Sequence, residues 1–172
     1  YKRQHYQAWK ELADREGIPF DRSVNNRLRG VSRMESLEIL LERAKRSYSQ
    51  EEKEKMAAAK NTRYQELLRE MTPADLSPEV FETLETLRKQ GLKLAIGSSS
   101  KNTPLILDRL GLGGYFDAVS DGNNITRSKP DPEVFLKAAE YLGLSPETCL
   151  VVEDAVSGVE AAHRAGMKAA AL

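Results

Sequence analysis

The chain holds a single cysteine, Cys149, and a single tryptophan, Trp9. One cysteine closes no internal disulfide, so no cross-link within the chain supports the fold. Beside Leu150, Val151 and Val152 it reads as a small buried core residue, and a reducing, cytoplasmic setting fits. No stretch approaches the roughly 18 apolar residues of a membrane span, and nothing resembles a secretory leader. A membrane is therefore not an expected partner. Net charge is missing too: 26 basic and 26 acidic residues cancel. No block of five or six basic residues occurs, which argues against nucleic acid as the main partner. An initiating methionine is absent and the sequence opens directly in a helical pattern, so native sequence is expected before Tyr1.

What is present divides in two. Up to Met71 there are 16 basic and 12 acidic residues, and beyond it 10 and 14, so a basic first part precedes an acidic second. That split suits an anionic ligand held between cations and a metal-binding acidic floor, and solvated helix faces produce similar imbalances. In the first part, Tyr6, Trp9, Leu12 and Ala13 recur at spacings of three and four until Gly17-Ile18-Pro19 ends the helix. Met34, Leu37, Leu40, Leu41 and Ala44 make a second helical run, begun by the capping-box pair Ser32 and Glu35. A third carries Met56, Ala59, Tyr64, Leu67 and Leu68 after the pair Ser49 and Glu52. Residues 1–71 thus read as an all-helical domain.

Thr72-Pro73 and Ser77-Pro78 interrupt that rhythm, because proline cannot continue a helix and restrains its predecessor. Residues 72–172 then alternate helix and strand. The predicted helices are 78–90, 103–110, 132–142 and 156–165, and the predicted strands are 92–96, 116–119, 150–152 and 167–172. Such alternation with apolar strands predicts a parallel sheet covered by helices on both faces.

In parallel sheets ligands bind beyond the carboxyl ends of the strands, and three places there carry reactive groups. After the strand at 92–96 come Ser98, Ser99, Ser100, Lys101 and Asn102, whose hydroxyls and free N–H groups suit phosphate oxygens or, alternatively, cap the next helix. Lys129 sits between Ser128 and Pro130, a restrained point charge suited to phosphate, although a Lys-Pro turn is also ordinary punctuation. Glu153 and Asp154 are adjacent carboxylates at the tip of an apolar strand. Magnesium uses such hard oxygens, one or two carboxylates together with substrate phosphate.

Hydroxyl after strand, then lysine, then paired acids after strand, all within 57 residues, resembles motifs two to four of the haloacid dehalogenase superfamily. The resemblance implies a Rossmann-like α/β core with an inserted helical cap domain. In the superfamily Ser98 would bind the transferring phosphoryl group and Lys129 would balance charge on an aspartate nucleophile. Glu153 and Asp154 would hold Mg2+. The superfamily's first motif, an Asp-x-Asp on a central strand, has no counterpart at the right place; it is expected before Tyr1, as further sheet is expected after Leu172. Without that strand the sheet should fall into two halves.

The helical part narrows the likeness. His5 to Lys10, Arg27 to Leu37 and Lys60-Asn61 are similar to the β-phosphoglucomutase subgroup. That resemblance implies that Arg33 grips the phosphate that is not being transferred, with Trp9, Leu28, Gly30, Val31, Ser32, Ser36 and Lys60 completing the sugar-phosphate pocket. Asn102 would assist from the core, and His5 would act near the cap hinge in control of the general acid, the second Asp of the superfamily's first motif. Trp9 is equally well spaced as helix core, and His5 as a surface histidine. The implied activity interconverts β-D-glucose 1-phosphate and glucose 6-phosphate in a monomer acting on a small phosphorylated sugar. A sugar-phosphate phosphatase, or a non-catalytic module that binds sugar phosphate, are the alternatives.

Overall fold

Ser32 and Ser49 each accept a hydrogen bond from the backbone N–H three residues on, while the side chains of Glu35 and Glu52 accept from the serine N–H groups at 2.8 Å. Both capping boxes therefore form, and they fix where two helices begin. In the computed structural model, which describes residues 2–172, the chain makes two units, one through Glu70 and one from Met71 to Leu172.

The first unit contains α1 (Lys2–Glu16), α2 (Arg22–Arg27), α3 (Arg33–Leu41) and α4 (Gln50–Arg69). Ala8, Trp9, Leu12 and Ala13 lie on one face of α1, at helical spacing, and are all buried. Trp9, Leu12 and Ala13 make a core with Leu37, Leu40 and Met56, in which α1 packs on α4 and α3 on α4. Trp9 is completely buried, and truncating such a residue costs ~3–5 kcal/mol. Helix α2 is not apparent from periodicity, since six residues hold fewer than two turns. Its signal is Asp21, whose carboxylate accepts from the Val24 N–H at 2.9 Å.

The second unit contains α5 (Pro78–Lys89), β1 (Ala95–Gly97), α6 (Thr103–Arg109), β2 (Ala118–Ser120), α7 (Glu133–Leu142), β3 (Leu150–Glu153), α8 (Val156–Arg164) and β4 (Lys168–Ala171). Met71 begins this unit, its carbonyl accepting from Arg109 Nε at 3.0 Å. The first strand starts three residues later than the apolar run predicts, and the second two residues later. The Asp117 carboxylate accepts from the Leu94 N–H at 2.8 Å and so occupies the group that would otherwise extend the ladder. Pairing therefore starts at Ala95 with Ala118.

The strands form two separate parallel pairs, β1 with β2 and β3 with β4. Val151 turns inward onto Val134, Phe135, Ala161, Ala162 and Met167. Alternation sends Leu150 and Val152 the opposite way, and they stay 63% and 60% exposed. Among the described residues no helix covers that side of β3. Cys149 is likewise only partly buried, because it leaves the turn at Pro146–Thr148 at the border of this core.

Candidate active site

In the second unit the ends of β1 and β3 meet at one ammonium. Lys129 Nζ lies 2.6 Å from Glu153 Oε2, donates to the Gly97 carbonyl at 3.1 Å, and sits 4.8 Å from the centroid of the Phe135 ring. The two charged side chains are 7% and 11% exposed, so the pair is largely out of water. Asp131 builds the approach: its carboxylate accepts from the Glu133 N–H at 3.0 Å, which begins α7 immediately after the Lys129 turn. Breaking a buried pair of this kind leaves an uncompensated charge and costs ~3–5 kcal/mol.

The hydroxyl loop lies beside this pair. The Ser98 N–H donates to the Ser120 carbonyl at 2.9 Å, which carries the β1–β2 ladder one residue past Gly97. Ser98 Oγ accepts from the Ser100 N–H at 3.2 Å and lies 3.0 Å from Thr103 Oγ1. Thr103 has one hydroxyl proton, and the Ser100 carbonyl at 2.8 Å, which can only accept, claims it. The Ser98 proton is then left for Thr103 Oγ1 or for another acceptor. Neither Ser98 nor Ser100 caps α6, because that helix starts with no capping bond from a side chain. Ser99 is partly buried, Lys101 exposed and Asn102 buried, with the Asn102 N–H donating to Ser100 Oγ at 3.1 Å.

Residues that motif reading passed over hold this loop in place. The Gly122 N–H donates to the Ser100 carbonyl at 3.2 Å and Asn123 Nδ2 to the Lys101 carbonyl at 3.1 Å. A Cβ added at Gly122 would come within 2.6 Å of the Ser99 carbonyl oxygen and 2.7 Å of the Lys101 nitrogen. Glycine is thus present at a close approach of two loops. Thr103 and Asn123 lack a sequence signature, since their partners are fixed only by folding.

The first unit carries a second cluster. Lys60 on α4 is buried, its Nζ 4.7 Å from the centroid of the Trp9 ring and 4.5 Å from that of Tyr64. His5 packs edge-on to the same two rings, at centroid distances of 6.4 and 5.2 Å. The pairs His5 and Trp9, and Lys60 and Tyr64, are each four apart on a helix, a spacing that could have pointed to this cluster from sequence. Burial, then the charge of Arg33, lowers the Lys60 pKa to about 7. Burial, then Lys60, lowers that of His5 to about 3, so the imidazole is neutral at physiological pH. Arg33 is half-buried, and desolvation depresses its pKa as well. Neither Lys60 nor Arg33 forms an ion pair with an acid among the described residues, so no carboxylate offsets the charge of Arg33 or of Lys60 when it is protonated.

The other residues singled out in this unit differ in position. Leu28 and Ser36 are buried at 2% exposure each, Val31 is partly buried, and Ser32 is engaged in its capping box. Gly30 has a φ of 77°, a left-handed conformation that favours glycine, where the chain turns into α3.

The sequence matches the haloacid dehalogenase-like hydrolase family over residues 1–166. The chain belongs to that family. As a haloacid dehalogenase-like chain it is 42% identical over 165 residues to the β-phosphoglucomutase of Bacillus subtilis, across 95% of this chain and 73% of that protein. It is 35% identical to the phosphorylated carbohydrates phosphatase of Thermotoga maritima, across 95% and 74%. The crystal structure of β-phosphoglucomutase from Clostridium difficile superposes with a TM-score of 0.89 at 38% identity, covering 98% of this chain and 76% of that one. The fold is accordingly the α/β Rossmann-like core of the haloacid dehalogenases joined to a helical unit, and the protein is an enzyme of that superfamily.

The donor set at the tip of β3 fits magnesium. Glu153 and Asp154 supply hard carboxylate oxygens, and Mg2+ is bound by one or two carboxylates with substrate phosphate and water making up the rest. Among the described residues no group of three or more acidic, histidine or cysteine side chains gathers. Of the residues that sequence reading joined into one core site, the structure brings together Lys129, Glu153 and the strand end leading to Ser98.

Proposed function

We propose that the protein is a phosphomutase that interconverts β-D-glucose 1-phosphate and glucose 6-phosphate through a phospho-aspartate and β-glucose 1,6-bisphosphate. The observation that carries this reading is the uncompensated pair Arg33 and Lys60 in the helical unit. A mutase handles a bisphosphate, so it needs a grip for the phosphate that does not react as well as a site for the one that does. Two buried or half-buried cations without an acid partner are prepared for an anion. Arg33 brings the planar fork that holds phosphate through two hydrogen bonds.

In the core unit, Ser98 donates its hydroxyl proton to a transferring phosphoryl oxygen, and Lys129 supplies positive charge beside it. Phosphoryl transfer asks the protein chiefly for positioning and charge neutralisation. Glu153 and Asp154 would hold Mg2+, which when bound neutralises charge on the phosphoryl oxygens. His5 takes part as a neutral imidazole, aligning the aromatic wall that holds Lys60 rather than donating a proton as imidazolium. The reading also requires an aspartate nucleophile. The likeness to the Bacillus subtilis β-phosphoglucomutase supports the mutase, and the likeness to the Thermotoga maritima phosphatase makes sugar-phosphate hydrolysis the second reading. A cytoplasmic monomer acting on small phosphorylated sugars fits both.

The test mixes the intact protein with β-glucose 1-phosphate, Mg2+ and a trace of β-glucose 1,6-bisphosphate. Glucose 6-phosphate should accumulate without stoichiometric free phosphate. Release of free phosphate with no glucose 6-phosphate would overturn the mutase in favour of the hydrolase.

A further inference from the structure

The Lys129–Glu153 pair depends on two places where a side chain lies against a bare α-carbon. A Cβ added at Gly158 would overlap Cγ, Cδ and Oε2 of Glu153, the oxygen that meets Lys129. A Cβ added at Gly97 would come within 2.6 Å of Phe135 Cε1 and 2.7 Å of Cδ1, the ring that flanks the same ammonium. Neither glycine has a positive φ, so the backbone does not demand glycine at either position. Gly158 even lies in the first turn of α8, where glycine is among the poorest helix formers and alanine the best. What glycine supplies there is space, and Glu153 occupies it.

The geometry points to Gly158 as a positioning residue that aims the Glu153 carboxylate at Lys129 and at the magnesium site, with Gly97 doing the same for Phe135 on the other flank. This rests on the phosphoryl-transfer reading of Lys129, Glu153 and Asp154. Glu153 has little room to yield: its Oε2 holds Lys129 at 2.6 Å and its Oε1 accepts from the Asp154 N–H at 3.1 Å. Displacing it therefore disturbs the lysine and the neighbouring carboxylate together.

The experiment is a double-mutant cycle on the intact protein with Gly158→Ala, Glu153→Ala and the double variant. Mg2+ alone is titrated by calorimetry, and thermal unfolding is followed for each. Gly158→Ala should weaken Mg2+ binding by roughly 10–100-fold, the usual effect of disturbing a group that orients metal ligands. In the Glu153→Ala background the same substitution should change Mg2+ affinity by less than about twofold, because the side chain it displaces is gone. It should there leave the melting temperature equal or higher, as alanine favours the helix. If Gly158→Ala unfolds the protein while Glu153→Ala folds, recovery of folding in the double variant supports the assignment, and failure of the double variant to fold overturns it. Equal losses of Mg2+ affinity in the two backgrounds would overturn it as well, as would an unchanged affinity in the single variant. Because these readouts use Mg2+ and melting rather than turnover, they stand apart from whether the wild type makes glucose 6-phosphate.

Discussion

Replacing Lys60 by methionine should stabilise the helical unit while weakening anion binding, the combination expected if the lysine is buried at a cost in stability to meet a ligand. Its pKa falls from 10.5 to about 7, chiefly because burial penalises the ammonium. At about 1.4 kcal/mol per unit, that drop corresponds to a destabilisation of about 5 kcal/mol at pH 6, where the folded and unfolded chains both carry the charge. The contacts with the faces of Trp9 and Tyr64 return about two-fifths of this, at ~1 kcal/mol each. Methionine fills the space of the aliphatic stem, so the net gain on substitution is about 3 kcal/mol at pH 6. Between pH 7 and 10.5 the unfolded chain binds the lysine proton and the folded chain does not. Wild-type stability therefore rises with pH across that window, by about 1.4 kcal/mol per unit from this group, and the advantage of the variant shrinks accordingly. Urea unfolding at pH 6, 7.5 and 9 reads this directly, because Trp9 is the chain's single tryptophan and touches the perturbed amine. Other titrating groups cancel in the difference between the two proteins. A variant less stable than wild type at pH 6, or a stability difference that does not change with pH, would refute the reasoning. The same variant should bind inorganic phosphate or sugar phosphate more weakly.

Two other substitutions probe the same cluster. Arg33→Ala should lower mutase turnover by roughly 10–100-fold, the equivalent of one charge-assisted bidentate contact, while hydrolysis of a small phosphoryl donor such as acetyl phosphate stays within about threefold; equal losses on both substrates would count against a grip on the second phosphate. His5→Gln should flatten the acid limb of stability. The His5 pKa is lowered to about 3, so from pH 6.5 downward the unfolded chain takes up a proton that the folded chain refuses, and wild type loses about 1.4 kcal/mol per pH unit. Denaturation curves at pH 4.5 and 6.5 that differ equally in wild type and variant would discard that assignment.

Much of the fold was legible because its signals are local. A capping box needs only two residues three apart, and those at Ser32 and Ser49 begin helices as predicted. The helical faces of α1 and α4 follow from apolar spacing, and the prolines at 73 and 78 mark the change of rhythm just after the first unit. Strand ends were read less well: the Asp117 carboxylate competes for a ladder position at Leu94, and a side chain 23 residues away cannot be weighed from a local pattern. Helix α2 escaped because six residues carry no period, although Asp21 is an ordinary cap.

The core site divides in the same way. Ser98, Lys129, Glu153 and Asp154 stand out by residue type at strand ends, and their order along the chain was enough to suggest phosphoryl transfer. Sequence by itself determined which groups are available, where helices begin, and that a helical unit precedes an α/β one. Only the tertiary structure decided that Lys129 meets Glu153 and the Gly97 carbonyl, that Lys60 and Arg33 share a region without acid partners, and that Gly158 leaves room for a carboxylate. Those outcomes depend on distances between residues far apart in the chain and on burial, which strengthens each charge interaction by removing water. Neither quantity exists until the chain has folded.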